Sequence, residues 1–222
     1  MQITPISTPM FPGVTVNAYL LEDGADCFLI DTGLAGQRRA VNRQLEQAGC
    51  QPDNLRLIAL THGDFDHSGN AAHLRSRFGV PIAMHRDDAG MVEQGDMFWN
   101  RKRPGVLLSS AIGLVLGLRG ADRFSPDIYL EDEHDLSEHG LDARVVHLPG
   151  HSRGSVGFLT GAGDLFCGDL LGNTRRPEVW SLIDDAAAMR ASADRVRDLG
   201  ATMVYPGHGR PFALEEFARI VR

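Results

Sequence analysis

The chain has 222 residues, 43% of them hydrophobic and 23% charged, an ordinary globular composition that suits one folded domain with a substantial core. Its 22 Lys and Arg stand against 29 Asp and Glu, and the formal charge of −7 disfavours nucleic acid or any other polyanion as a partner. The longest apolar stretch, Val106 to Leu118, falls short of the ~20 residues that a bilayer span needs. Cys27, Cys50 and Cys167 form neither a CxxC pair nor an even-numbered framework, so they read as reduced thiols. With no basic and then apolar pattern after Met1, a cytoplasmic location is expected.

Residues 14–22 and 26–31 are strand-like apolar runs around Asp23-Gly24 and read as a hairpin. Residues 36–48 carry Val41, Leu45 and Ala48 at helical spacing, with Gly49 as a stop. A short apolar strand at 55–60 runs into the polar stretch 61–70. A helix over 71–78 and a strand over 80–84 follow. Strands are predicted at 143–148, 155–160, 164–167 and 202–205, and helices at 185–199 and 213–221. Strands thus alternate with helices and also occur in consecutive pairs, which points to two sheets face to face with helices outside. The whole chain, 1–222, reads as one α/β domain. An insertion at about 94–126 holds Phe98, Trp99, Arg101-Lys102-Arg103 and the apolar segment, and is expected to cover a site or form a homodimer contact.

The chemistry concentrates in Thr61-His62-Gly63-Asp64-Phe65-Asp66-His67-Ser68-Gly69, directly after a strand. His62, Asp64, Asp66 and His67 are four metal-capable side chains on one glycine-containing loop. Imidazole with carboxylate suits zinc, iron or manganese. Three later segments repeat one pattern, in which an apolar strand and a glycine turn present a metal-capable residue: His151 after Pro149-Gly150, Asp169 after Gly168, and His208 after Pro206-Gly207. No GxSxG elbow or phosphate-cradling glycine loop competes with this reading.

This order of residues resembles the metallo-β-lactamase superfamily, whose pattern is HxHxDH followed by a histidine, an aspartate and a last histidine at strand ends. The resemblance covers nearly the whole chain and implies a four-layer αββα sandwich. It also implies two divalent cations, zinc first with iron or manganese as alternatives. One would be held by His62, Asp64 and His151, the other by Asp66, His67 and His208, with Asp169 bridging. Asp31, in Asp31-Thr32-Gly33, matches the family's early strand-end aspartate and is expected to support the ligands from behind, as is His147. Asp64 departs from the family, standing where its second histidine usually is. Either it ligates through oxygen and favours a harder metal, or only the second site is filled.

The reaction implied is hydrolysis of an ester, thioester, lactone or phosphoester of a small molecule by a metal-activated water, with Asp66 or Asp64 moving the proton. The alternatives are a mononuclear iron oxygenase of the persulfide dioxygenase type and a ligand-binding relative with little turnover. Phe98, Trp99 and Arg175 are the candidate substrate contacts. Arg176 beside Arg175 reads as part of a solvated pair.

Overall fold

The computed structural model describes residues 1–101 and 118–220. The chain opens as a three-stranded antiparallel meander, β1 (Gln2–Phe11), β2 (Val14–Asp23) and β3 (Asp26–Ile30), and the β2–β3 turn falls where Asp23-Gly24 predicts it. Parallel additions then extend the sheet through β4 (Leu55–Ala59), β5 (Ile82–His85) and β6 (Ile128–Leu130), in the spatial order β1-β2-β3-β4-β5-β6. Parallel neighbours need crossovers. α1 (Arg38–Gln47) links β3 to β4, and the one-turn α2 (Phe65–Ser68) and α3 (Ala71–Phe78) link β4 to β5. α4 (Arg86–Gln94) follows β5.

The second sheet has the order β13-β12-β9-β8-β7. It comprises β7 (Ala143–His147), β8 (Val156–Thr160), β9 (Asp164–Gly168), β12 (Met203–Pro206) and β13 (Phe212–Ala213). α5 (Ala186–Asp198) crosses over between β9 and its parallel neighbour β12, and α6 (Leu214–Ile220) closes the described chain. A small hairpin of β10 (Leu171–Gly172) and β11 (Glu178–Val179) projects after β9.

Side-chain alternation sorts the core into three layers of packing. Leu20, Leu29 and Ile58 face outward onto Val41, Leu45, Leu74 and Phe78 of α1 and α3. Tyr19, Leu21, Phe28, Ile30 and Leu57 face the second sheet and meet Val145, Phe158 and Phe166. On the far face, Val146, Leu165 and Val204 pack against Met189, Ala193 and Val196 of α5 and Phe217 of α6. The result is helix, sheet, sheet, helix. It explains why central strands such as β8 are buried along their whole length.

Among the elements that escaped the sequence reading, two are long. β1 contains Pro5 and Pro9, which argue against a central strand, but it lies at the sheet edge and pairs only with β2. The even spacing of the two prolines puts both missing N–H groups on the unpaired side. α4 was hidden because Asp87 and Asp88 and then Gly90 dilute its apolar stripe, yet Ala89, Met91 and Val92 are buried. Of the expected insertion, Leu118 and Phe124 join the outer core. Lys102 to Gly117, including most of the apolar segment, lie outside the described residues. All three cysteines are buried and unpaired. Among the described residues no helix is long and apolar enough to cross a membrane.

Candidate metal centre

Asp31, the His62–His67 loop, His151, Asp169 and His208 follow the C-terminal ends of β3, β4, β7, β9 and β12 respectively. The strand directions bring these ends to one edge of the paired sheets, and all of these residues converge there although they span most of the chain.

The loop after β4 is held by its own backbone: the N–H groups of His67 and Ser68 both donate to Asp64 O at 2.9 Å, closing α2. Asp64 occupies the N-cap position but makes no side-chain cap bond, which leaves its carboxylate for the site. Gly69 caps α2 at a point where a Cβ would collide with Phe65 O and the Ala35 backbone, so the close approach requires glycine. Asp31 sits at φ 58°, a left-handed conformation that Asp tolerates better than most residues. There its Oδ1 accepts the Thr61 N–H at 2.9 Å and its Oδ2 accepts the Thr61 hydroxyl at 2.8 Å.

The four histidines share one orientation rule. His67 Nδ1 lies 2.9 Å from Asp31 Oδ2, and His62 Nδ1 lies 2.9 Å from Thr61 Oγ1. His151 Nδ1 lies 2.7 Å from Leu182 O, and His208 Nδ1 lies 2.9 Å from Thr15 O. Each Nδ1 is thus tied to the protein, which fixes the ring and turns Nε2 toward the others, as in a ligating imidazole with its supporting partner. His67 Nε2 stands 3.4 Å from Asp169 Oδ1 and 3.7 Å from Asp66 Oδ2. His208 Nε2 stands 3.3 Å from Asp169 Oδ2 and 3.4 Å from Asp66 Oδ2. On the other side, Asp64 Oδ2 is 2.9 Å from His151 Nε2 and 3.8 Å from His62 Nε2.

Donor atoms of His62, Asp64 and His151 all lie within 4.8 Å of one another, and so do those of Asp66, His67 and His208. Asp169 lies between the two groups, with Oδ2 also 3.9 Å from His151 Nε2. The test of fit is hydrogen bonding. His62 Nε2, His67 Nε2 and Asp169 Oδ1 are buried and have no hydrogen-bond partner. Unpaired polar atoms in a dry interior are costly, whereas a shared cation satisfies all three at once. Four imidazole nitrogens and three carboxylates make a borderline donor set suited to zinc, iron or manganese. The residues fit two divalent cations.

Electrostatics divide the histidines. Burial holds His62 well below the usual histidine range, reinforced by His67 and His151. Burial also acts on His67 and His208, but the Asp169 and Asp66 carboxylates outweigh it, raising His67 well above its ordinary value and His208 to about 10. Asp169 is correspondingly held far below the carboxylate range: burial pushes it up, but His208 and His67 prevail. Asp64 is also depressed, because the Arg101 guanidinium and His151 outweigh burial.

The seven expected ligands therefore lie together, with Asp31 hydrogen-bonded to His67 and Thr61. His147 lies elsewhere: its ring stacks on His85 at 4.5 Å and its Nε2 is 2.8 Å from Arg153 O. Phe98 is half-buried, and Trp99 is exposed with its ring against the bare backbone of Gly90. Arg175 is exposed in the β10–β11 hairpin. Three contributors went unseen in the sequence. Trp180 stacks on His208 with centroids 4.5 Å apart. Asp88 is buried and accepts Gly63 N–H at 3.0 Å, the Ser152 hydroxyl at 2.6 Å and Gly154 N–H at 2.8 Å, joining the loops that carry His62 and His151. Arg101, within the basic triplet, pairs with Asp64. Nothing in the periodicity around these residues distinguishes them, because each acts through a partner distant in the chain.

Two cavities are lined by chain neighbours of the candidate ligands, though by none of the ligands themselves. One of about 520 Å³ is lined by Val14, Thr15, Asn173 and Gly209 beside His208, and one of about 360 Å³ by Arg101, Gly150, Ser152 and Asp184 beside His151. Both have volumes typical of small-molecule sites.

The chain belongs to the metallo-beta-lactamase superfamily, whose family model matches residues 11–208. The hydroxyacylglutathione hydrolase GloC of Haemophilus influenzae is 28% identical over 155 residues, covering 68% of this chain and 63% of that protein. The matched region thus spans just under two thirds of that curated relative. Among solved structures, the metallo-beta-lactamase family protein TTHA1429 from Thermus thermophilus superposes with a TM-score of 0.72 at 27% identity, covering 98% of this chain and 77% of the other. TTHA1623, solved in a di-iron-bound form, gives 0.74 at 29% identity and 96% coverage of both chains.

Proposed function

We propose that this member of the superfamily is a binuclear metal-dependent hydrolase of a small-molecule ester or thioester. The observation that carries the reading is the convergence of four Nε2 atoms, each with its Nδ1 anchored, on Asp64, Asp66 and Asp169. His62, Asp64 and His151 would hold one cation and Asp66, His67 and His208 the other, with Asp169 shared. Such a pair supplies Lewis acidity and a water acidic enough to attack at neutral pH.

The chain's own residues divide the remaining work. Asp64 has both oxygens engaged, one by Arg101 and the other by His151, so it is a fixed carboxylate and a poor carrier of protons. Asp66 has 12% of its side chain exposed, more than Asp64 at 7% or Asp169 at 3%. It is the carboxylate placed to pass a proton between the site and solvent. Trp180 covers the His208 ring and limits the directions from which water reaches that ligand.

The thioester class is favoured by the likeness to GloC. The test is release of free thiol from a hydroxyacylglutathione, run beside a panel of esters, lactones and phosphodiesters on protein loaded with zinc, iron(II) or manganese. Turnover of one ester class, reduced by about 100-fold or more in Asp66→Asn, is expected. A fully metal-loaded protein that hydrolyses none of the panel would refute the proposal.

A further inference from the structure

Arg101 is a buried cation in direct contact with one half of the centre and not with the other. Its side chain is 8% exposed. One terminal nitrogen (NH1) donates to Asp64 Oδ1, and the other (NH2) donates to His151 O at 3.1 Å. Its Nε stands 2.8 Å from Asp184 Oδ2, close enough for an ion pair though not aligned as a hydrogen bond. One guanidinium therefore touches two of the three residues of the His62, Asp64 and His151 group. Among the described residues, no Lys or Arg pairs with Asp66 or Asp169, which meet only histidines within ion-pair distance.

We infer that Arg101 makes the two halves unequal, so that the Asp66, His67 and His208 half fills first and tightly while the His62, Asp64 and His151 half fills weakly. This rests on the two-site reading above. The physical argument has two parts. A carboxylate that already shares one oxygen with a guanidinium is a weaker ligand, and the fixed positive charge beside it repels an arriving cation. Conversely, Asp64 is buried, and without Arg101 it would be a buried carboxylate whose remaining partners are histidines. A buried charge that loses its main partner is strongly unfavourable, so the vacated position draws a cation in. A unit charge in contact with a ligand changes cation affinity by at least about tenfold, even at an effective dielectric near ~20.

The test is titration of the chelator-stripped protein with Co²⁺, followed by its visible absorption and by competition with chelators of known affinity. The wild type is expected to bind one equivalent tightly and a second at least about tenfold more weakly. His208→Ala should remove the tight step and Asp64→Ala the weak one. In Arg101→Gln the gap should narrow by at least about tenfold, while Arg101→Lys, which keeps the charge, should preserve it. One tight equivalent in the wild type and two in Arg101→Gln is the same result in its extreme form.

Two equal steps in the wild type or in Arg101→Lys overturn the inference, whether or not Arg101→Gln folds. An unchanged or widened gap in a folded Arg101→Gln, shown by an intact circular dichroism spectrum, also overturns it and makes Arg101 a positioning group only. Lack of turnover on every ester class would leave these titrations unaffected and count against the hydrolase reading alone.

Discussion

Removing the Asp88 carboxylate should destabilise the protein strongly. Asp88 is 2% exposed, and Asp88→Ala deletes three hydrogen bonds, from Gly63 N–H, Gly154 N–H and the Ser152 hydroxyl. A buried donor left without its acceptor costs roughly 1–3 kcal/mol. The Ser152 hydroxyl can turn to Ser155 Oγ, 2.7 Å away, but the two backbone N–H groups cannot rotate to another acceptor. Two orphaned backbone donors give a loss of about 2–6 kcal/mol, and for a domain of this size each kcal/mol lowers Tm by ~2–4 °C. Thermal unfolding of the metal-free protein should therefore move down by about 4–24 °C. Asp88→Asn, which keeps shape and an acceptor oxygen, should lose less than half of that. Because Gly63 lies between His62 and Asp64, and Ser152 follows His151, the variant should also lose metal affinity. A shift under about 3 °C in Asp88→Ala would mean that the loops do not depend on this carboxylate.

Three other outcomes are expected. Asp31→Asn replaces the acceptor that fixes His67 and Thr61, and should weaken metal binding by about 10–100-fold in chelator competition with secondary structure unchanged. Unchanged affinity would exclude the supporting role. Gly207→Ala puts a Cβ in collision with Asp169 Oδ1 and 2.6 Å from His67 Cε1, so the folded variant should lose ~100-fold in turnover or more, and wild-type turnover would contradict this geometry.

The third outcome is a pH dependence of the metal-free protein. His67 and His208 have raised values, so their stabilisation is complete below the unfolded value of 6.5 and fades as pH rises through about 10 for His208. Asp169 is depressed, so its share is present above 3.8 and lost as pH falls further. Denaturation midpoints in the presence of chelator should peak between these limits and fall toward pH 10. Metal affinity should rise over the same interval, since the ligands must lose their protons. A flat stability profile from pH 6 to 10 would contradict the charge arrangement.

Most of the helices and strands could be read from the sequence because their apolar spacing is local. Ala71–Phe78 falls on the predicted boundaries, and β7, β8, β9 and β12 lie within a residue or two of theirs. β1 and α4 could not be, since an edge position excuses two prolines and burial in this fold admits a carboxylate such as Asp88.

The candidate ligands were legible for a chemical reason. Each is a histidine or aspartate set by a glycine turn at the end of an apolar strand, and a buried cation needs those side chains wherever the strands lie. Convergence and orientation were decided by the tertiary structure. Thr15 O orients His208, Leu182 O orients His151, and Arg101 pairs with Asp64 from 37 positions away. A backbone carbonyl carries no residue identity, and a guanidinium in a basic triplet looks solvated until folding buries it. Residue type therefore determines which side chains can ligate, while only the packing of two sheets decides which nitrogen points inward and which half carries a resident positive charge.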